Sequence, residues 1–217
     1  MKQKVRALLG ASLLVALTGC QTAYYSAMEQ VGVHKREILV DRVMDARDSQ
    51  SEAQEQFEDA LDQFRSVVQF NGGELDTIYK RLKGEYDDSV DAADDVRNRI
   101  EKVESVAEAL FEEWNEELDK YSNRELRSQS ARQLRETRIR YNDLLRTMQR
   151  AEKRMDPVLA TLQDNVLYLK HNLNARAIGA LKGEFRGMQQ EINLLMRDMQ
   201  RAIDESNRFI KTMESRG

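Results

Sequence analysis

Residues 93–114 read ADDVRNRIEKVESVAEALFEEW, and apolar side chains recur in this stretch at alternating steps of three and four residues. The repeat passes through seven positions, which are Ala93, Val96, Ile100, Val103, Ala107, Leu110 and Trp114. This spacing lines one side of an α-helix with apolar groups and is typical of coiled-coil packing. The stretch therefore predicts a long helix that packs against other helices.

The same repeat extends across most of the chain. It covers residues 75–121 around the quoted stretch, and it recurs over 39–67, 131–173 and 178–213. Asn71-Gly72-Gly73 ends the first segment, and Ser122-Asn123 ends the second. Helices of about 35 to 48 residues would be roughly 50 to 70 Å long. Because short turns force neighbouring helices to be antiparallel, we expect an all-α, elongated antiparallel bundle of about four long helices in one domain, residues 31–217.

The composition supports this fold class. The 217 residues include one Pro, one Cys and only 6% aromatic residues, whereas 33% are charged. An all-β fold, an α/β nucleotide-binding fold and a disulfide-rich domain are all excluded by this usage. The single proline, Pro157, follows Asp156, and this pair permits two interpretations. It would either start a new helix or kink a continuous one, and the uninterrupted repeat favours the kink.

The first twenty residues predict where in the cell the protein is located. Lys2, Lys4 and Arg6 precede a short apolar run, residues 7–16, which suits a secretory signal but is too short to span a bilayer. The run leads to Leu17-Thr18-Gly19-Cys20, which resembles the lipobox of bacterial lipoproteins. The resemblance implies a signal peptide over residues 1–19, acylation of Cys20 and a lipidated tether over residues 20–30. Gln21, in place of Asp, implies the outer membrane with the protein facing the periplasm, and the rod is expected to stand upright there. The alternative is a buried or redox cysteine.

Charge is distributed unevenly. The chain has a net charge of −4, and the mature chain, without the three cations of the signal, has −7. Residues 74–121 hold 16 acidic and 7 basic residues, whereas residues 123–156 hold 5 acidic and 10 basic residues. Two adjacent antiparallel helices of opposite sign would attract each other along their flanks.

Two surface patterns are candidate interaction sites. Six arginines of the third segment could bind an anionic lipid or cell-wall polymer, or they could pair with the acidic second helix. They are Arg132, Arg135, Arg138, Arg146, Arg150 and Arg154, and the first three form the candidate anion-binding face. Nucleic acid is not expected as a partner, because the chain is acidic and predicted to be exported. Gly179, Gly183 and Gly187 share one side of the last helix, beside its predicted apolar seam. Such a stripe allows close approach of a partner helix or a second copy, or it packs within the bundle.

No sequence motif indicates a metal site or a catalytic site. His34 and His171 would lie near opposite ends of the bundle, and Asp87, Asp88, Asp91, Asp94 and Asp95 are spread around a helix rather than converging as calcium requires. The sequence lacks the phosphate-binding loop, the nucleophile turn and the zinc motifs of common enzymes. We therefore expect no metal, no cofactor and no enzymatic activity.

Six stretches together resemble a family of Gram-negative helical lipoproteins known only as a domain of unknown function. They are residues 24–29 with 32–36, 70–73, 109–114, 155–159 and 169–175. The resemblance implies no functional residue except the acylation site, Cys20. Together with the bundle, it favours a scaffold or adaptor that binds an envelope protein or a second copy. The alternative is a binding module for an anionic envelope ligand through the arginines.

Overall fold

A computed structural model describes residue 28 and residues 34–69, 75–172 and 175–215. These ranges contain four long helices and no strand: α1 (Lys35–Val68), α2 (Leu75–Leu118), α3 (Arg124–His171) and α4 (Ala175–Glu214). The prediction of an all-α bundle is therefore confirmed. The predicted signal peptide with Cys20, the tether apart from Met28, and the Asn71-Gly72-Gly73 turn lie outside the described residues.

The four helices form an antiparallel ring. Helix α1 packs against α2 and α4, and α3 packs against the same two helices, so α1 and α3 occupy opposite corners. Lys35 Nζ at the start of α1 lies 3.0 Å from Glu113 Oε1 near the end of α2. Arg36 donates a hydrogen bond to the carbonyl oxygen of Met213 near the end of α4. Each helix therefore runs opposite to both of its neighbours.

One apolar core runs the length of the bundle. Most described positions of the predicted seams are buried, and the largest fully buried side chains include Phe57, Phe64, Met148, Met155 and Ile192. Trp114, near the end of α2, is half-buried. Full burial of such a side chain contributes about 1.5–3 kcal/mol, which far exceeds what a surface ion pair adds. The hydrophobic core is therefore the main source of stability.

The α2–α3 connection is held from both sides. The side-chain oxygen of Asn123 accepts hydrogen bonds from the backbone N–H groups of Glu125 and Leu126, at 2.9 and 3.1 Å, and so caps the start of α3. On the inner side, Trp114 of α2 donates a hydrogen bond to Ser130 of α3. Helix α2 ends at Leu118, so the predicted break at Ser122-Asn123 lies within this connection, and the helix is three residues shorter than the predicted segment 75–121.

Pro157 lies inside α3, which continues without interruption from Arg124 to His171. The interpretation in which Asp156-Pro157 starts a new helix is therefore wrong. Met155 and Val158 on either side of the proline are both fully buried. Packing of these side chains compensates for the hydrogen bond that proline, which has no N–H, cannot donate.

Candidate functional site

The outer side of α3 is basic. Arg132, Ile139, Arg146 and Lys153 recur every seven residues, and each lies two positions before a buried seam residue. Because two residues turn an α-helix by about 200°, these four side chains face away from the core. Arg135 and Arg150 flank them, and all six are exposed. We call Arg132, Arg135, Ile139, Arg146, Arg150 and Lys153 the basic outer face; from residue 132 to 153 it extends about 30 Å along α3.

The three predicted arginines do not pair with carboxylates of α2. Arg132 Nη1 donates to Ser128 Oγ within α3 at 2.9 Å. The guanidinium of Arg138 lies 5.0 Å from the centroid of the Phe111 ring, which is a cation–π contact with α2. None of the ion pairs within the described ranges joins Arg132, Arg135 or Arg138 to an acid of α2. The predicted salt pairing of these three residues with the second helix is therefore wrong. Arg132 bonds within α3, and Arg138 contacts an aromatic ring of α2 rather than a carboxylate.

Attraction between α2 and α3 along their flanks is observed only locally. Near the turn, Arg127 pairs with Asp119 at 2.7 Å. Farther along, Arg97 of the acidic helix lies 2.6 Å from Asp156 and 3.8 Å from Glu152 of the basic helix, which reverses the predicted polarity. The excess cations of α3 therefore remain at the surface rather than being neutralised by α2.

The opposite corner of the bundle is acidic. Asp41, Asp48, Glu55 and Asp62 of α1 also recur every seven residues, two positions before the fully buried Val43, Gln50, Phe57 and Phe64, and all four acids are exposed. Over its whole length α1 has nine acidic and five basic residues, whereas α3 has six acidic and eleven Lys and Arg residues. Since α1 and α3 are diagonal in the ring, the bundle has oppositely charged sides.

A shallow groove lies at one end of the basic outer face. Its volume is about 410 Å³, and it is lined by Arg146, Gln149, Arg150, Lys153, Arg154 and Pro157. Arg154 is also committed to the bundle, because its Nε lies 2.7 Å from Oδ2 of the buried Asp198 on α4. The other three cations face solvent, and converging cations of this kind suit oxyanions such as phosphate.

The glycine stripe faces solvent. Gly179, Gly183 and Gly187 are exposed, and a Cβ atom built on any of them would meet no heavy atom within 4 Å. The interpretation in which the stripe packs against another helix of the same bundle is therefore wrong among the described residues. The stripe is a smooth, open surface on α4, and the contact with a partner helix or second copy stays a prediction.

The titratable residues considered for metal binding are dispersed. His34 is exposed just before the start of α1, and His171 ends α3 at the other end of the bundle. Asp87, Asp94 and Asp95 each pair with a cation of their own helix, Lys83, Arg97 and Arg99 respectively. In the described ranges, no group of three or more His, Cys, Asp or Glu residues is placed to hold a metal ion. None of the described helices is long and apolar enough to cross a membrane.

Comparison with known proteins identifies the family. The sequence pattern of the family described as "Protein of unknown function (DUF2959)" matches residues 24–213. The chain belongs to the DUF2959 family. No curated protein and no solved structure matches the chain. Family membership agrees with the resemblance to a domain of unknown function, and it assigns no activity to any residue.

Sequence reasoning missed two members of the basic outer face, Ile139 and Lys153. Ile139 is 61% exposed, although it is an apolar β-branched residue, and Arg135 lies one turn before it. The signal that would have found both residues is their seven-residue spacing from Arg132 and Arg146. The three-four repeat of apolar residues marks buried positions, so it does not by itself indicate an exposed isoleucine or lysine.

Proposed function

We propose that the protein is a non-enzymatic lipoprotein, anchored through Cys20 in the outer membrane and facing the periplasm, where it acts as an elongated scaffold or adaptor. The single observation that supports a scaffold best is the length of an unbroken bundle. Helix α3 has 48 residues, which corresponds to about 70 Å at 1.5 Å per residue. A rod of this length presents long charged faces to partners.

The anchor is supported by the sequence that precedes the bundle. Leu17-Thr18-Gly19-Cys20 follows a charged and then an apolar segment, and Cys20 is the only cysteine of the chain. Each buried CH₂ group of an acyl chain contributes about 0.8 kcal/mol, so that two or more chains give stable anchoring. Intact-mass analysis of the protein extracted from envelopes tests this part. We expect cleavage before Cys20 and an added acylated mass, whereas an unmodified thiol would contradict the anchor.

The adaptor role requires a protein partner. Crosslinking in intact envelopes, from probes placed at Asp48 and Glu55 on α1 and at Gly183 on α4, should capture an envelope protein or a second copy. Probes at buried positions such as Val43 serve as the control, because they should capture nothing outside the chain. Repeated crosslinking to lipid alone from all exposed positions would contradict the adaptor role.

A second candidate is a binding module for an anionic envelope ligand, and the exposure of Arg132, Arg135 and Arg138 supports it. Binding through these residues should weaken as salt rises, because the attraction between exposed charges is screened over about 8 Å at physiological ionic strength. Replacing all three by Gln should abolish such binding. Binding that survives both the substitutions and high salt would contradict this candidate.

A further inference from the structure

The basic outer face has three properties that together indicate which kind of ligand it binds. It is a line of cations about 30 Å long on one side of α3, it contains an exposed apolar residue, and it lies diagonal to an acidic line on α1. We infer that this face lies flat on a membrane surface of anionic phospholipid headgroups. The inference rests on the proposed location at a membrane and deepens it, because it fixes which side of the bundle meets the lipid.

The extent of the face favours a surface over a small anion. Arg132 and Lys153 are 21 residues apart, which is about 30 Å along the helix axis. One phosphate group can contact only neighbouring cations such as Arg146 and Arg150, whereas a layer of headgroups can contact the whole line. Two acids lie on the same side of α3, and each pairs with an arginine of that helix: Glu136 with Arg140 at 3.6 Å, and Asp143 with Arg146 at 3.3 Å. The four arginines and one lysine of the face outnumber these two acids.

Ile139 distinguishes a lipid surface from a purely polar polymer. Its side chain is 61% exposed in the middle of the face, with Arg135 one turn before it and Arg146 two turns after it. Basic residues around an exposed apolar group are typical of protein surfaces that rest at the headgroup boundary, where the cations meet phosphates and the apolar group reaches the acyl region. Leu167, four heptads after Ile139, is also 48% exposed on the same side of α3.

The acidic corner gives the orientation a second cause. Asp41, Asp48, Glu55 and Asp62 lie on α1, diagonal to α3. An anionic membrane attracts α3 and repels α1, so both sides favour the same orientation. The bundle would then lie along the membrane with α1 turned away from it, which differs from the upright rod expected from the tether alone.

The experiment uses the processed chain, residues 20–217, with Cys20→Ser, so that no acyl chain contributes to binding and all four helices are retained. Binding is measured with vesicles of equal parts phosphatidylglycerol and phosphatidylcholine and with vesicles of phosphatidylcholine alone. We expect binding to the anionic vesicles only, and a loss of that binding in high salt. Equal binding to both vesicle types, or binding to neither, would overturn the inference.

A matched pair of variants assigns the binding to the face. The face variant carries Arg132→Gln, Arg146→Gln and Lys153→Gln, and the control carries Arg81→Gln, Lys102→Gln and Arg197→Gln, which are exposed cations of α2 and α4. Since each cation near an anionic surface strengthens binding about fivefold, the face variant should bind roughly a hundredfold more weakly. The control should change little. Equal losses in both variants would overturn the assignment.

Single-cysteine labels test the orientation. In the Cys20→Ser chain, Ile139→Cys and Glu55→Cys each carry one environment-sensitive fluorophore, on α3 and α1 respectively. A blue shift on anionic vesicles at position 139 but not at 55 supports a flat orientation, and equal responses at both positions overturn it. Sedimentation without vesicles tests whether the face binds a second copy. If the chain forms oligomers, and the face variant but not the control variant is monomeric, the lipid assignment is also overturned. Intact mass of the native protein tests the anchor separately, so the two failures are distinguishable.

Discussion

Trp114 Nε1 donates a hydrogen bond of 2.8 Å to Ser130 Oγ, which joins α2 to α3 sixteen residues later in the chain. Ser130 is buried, with 8% of its surface exposed, and Trp114 is half-buried. The only tryptophan of the protein thus reports on the contact between two helices near one end of the bundle.

Replacing Ser130 by Ala should lower the free energy of unfolding by about 1–2 kcal/mol, because it leaves the indole N–H without its partner. Urea unfolding followed by tryptophan fluorescence measures this change. Ser128→Ala, an exposed serine of the same turn of α3, is the control and should be nearly neutral. An equal effect of both variants would contradict the importance of the hydrogen bond.

Gln50 occupies a seam position of α1 and is fully buried, and neither its Nε2 nor its Oε1 has a hydrogen-bond partner among the described residues. Burying an unpaired amide costs about 1–3 kcal/mol. Gln50→Met, which has a similar shape without the polar atoms, should therefore raise the free energy of unfolding by about that amount. Thermal and urea unfolding measure the gain.

Gln56 provides the matched control for Gln50. It lies on the same helix, but its Nε2 donates to Glu85 Oε2 at 3.0 Å. Gln56→Met removes a satisfied hydrogen bond and should be neutral or slightly destabilising. If Gln56→Met stabilises the protein but Gln50→Met does not, the prediction is wrong. The side-chain amide of Gln50 would then have a hydrogen-bond partner, for example a trapped water molecule.

Tyr141 is predicted to make the protein sensitive to alkali. Burial against Phe111, 5.3 Å away between ring centroids, raises the pKa of the Tyr141 hydroxyl, and the nearby carboxylates of Glu104 and Glu108 raise it further. The raised pKa means that the folded state keeps this proton while the unfolded state loses it above about pH 10. The stabilisation is complete below that pH and is lost progressively as the pH rises above it, by up to about 1.4 kcal/mol per pH unit.

Tyr141→Phe should therefore reduce the loss of stability between pH 9 and pH 11, as measured by urea unfolding at each pH. Tyr121→Phe is the control, because it removes the same hydroxyl group from a side chain that is 42% exposed. Parallel pH profiles for the wild type and Tyr141→Phe would contradict the assignment.

Gly183 and Gly187 should tolerate a larger side chain in the isolated protein. Each is exposed within α4, and an added Cβ would meet no atom within 4 Å. Gly183→Ala should raise the free energy of unfolding by about 1 kcal/mol, because alanine favours the helix. Gly187→Leu in intact envelopes tests whether a partner uses the stripe, since a bulky side chain one turn away should abolish the crosslinks from the probe at Gly183. Crosslinks that persist unchanged would contradict a close contact at this position.

Most of the fold was predictable from residue spacing. The three-four repeat located all four helices. Apolar residues spaced three or four apart lie on one side of an α-helix and can therefore be buried together. The Asn123 cap was also predictable, because its side chain acts on N–H groups only two and three residues away. The site was less predictable. The arginines of α3 were found, but their pairing was misjudged and Ile139 was overlooked.

The sequence by itself therefore determined the helices, their seams and the uneven charge along the chain, because all of these depend on neighbours within a few residues. Only the tertiary structure decided that Arg132 and Arg135 face solvent, that the glycine stripe is open, and that α1 and α3 lie on opposite sides. The physical reason is that ring order and the rotation of each helix about its axis depend on how four seams pack together. No spacing within one helix specifies that packing.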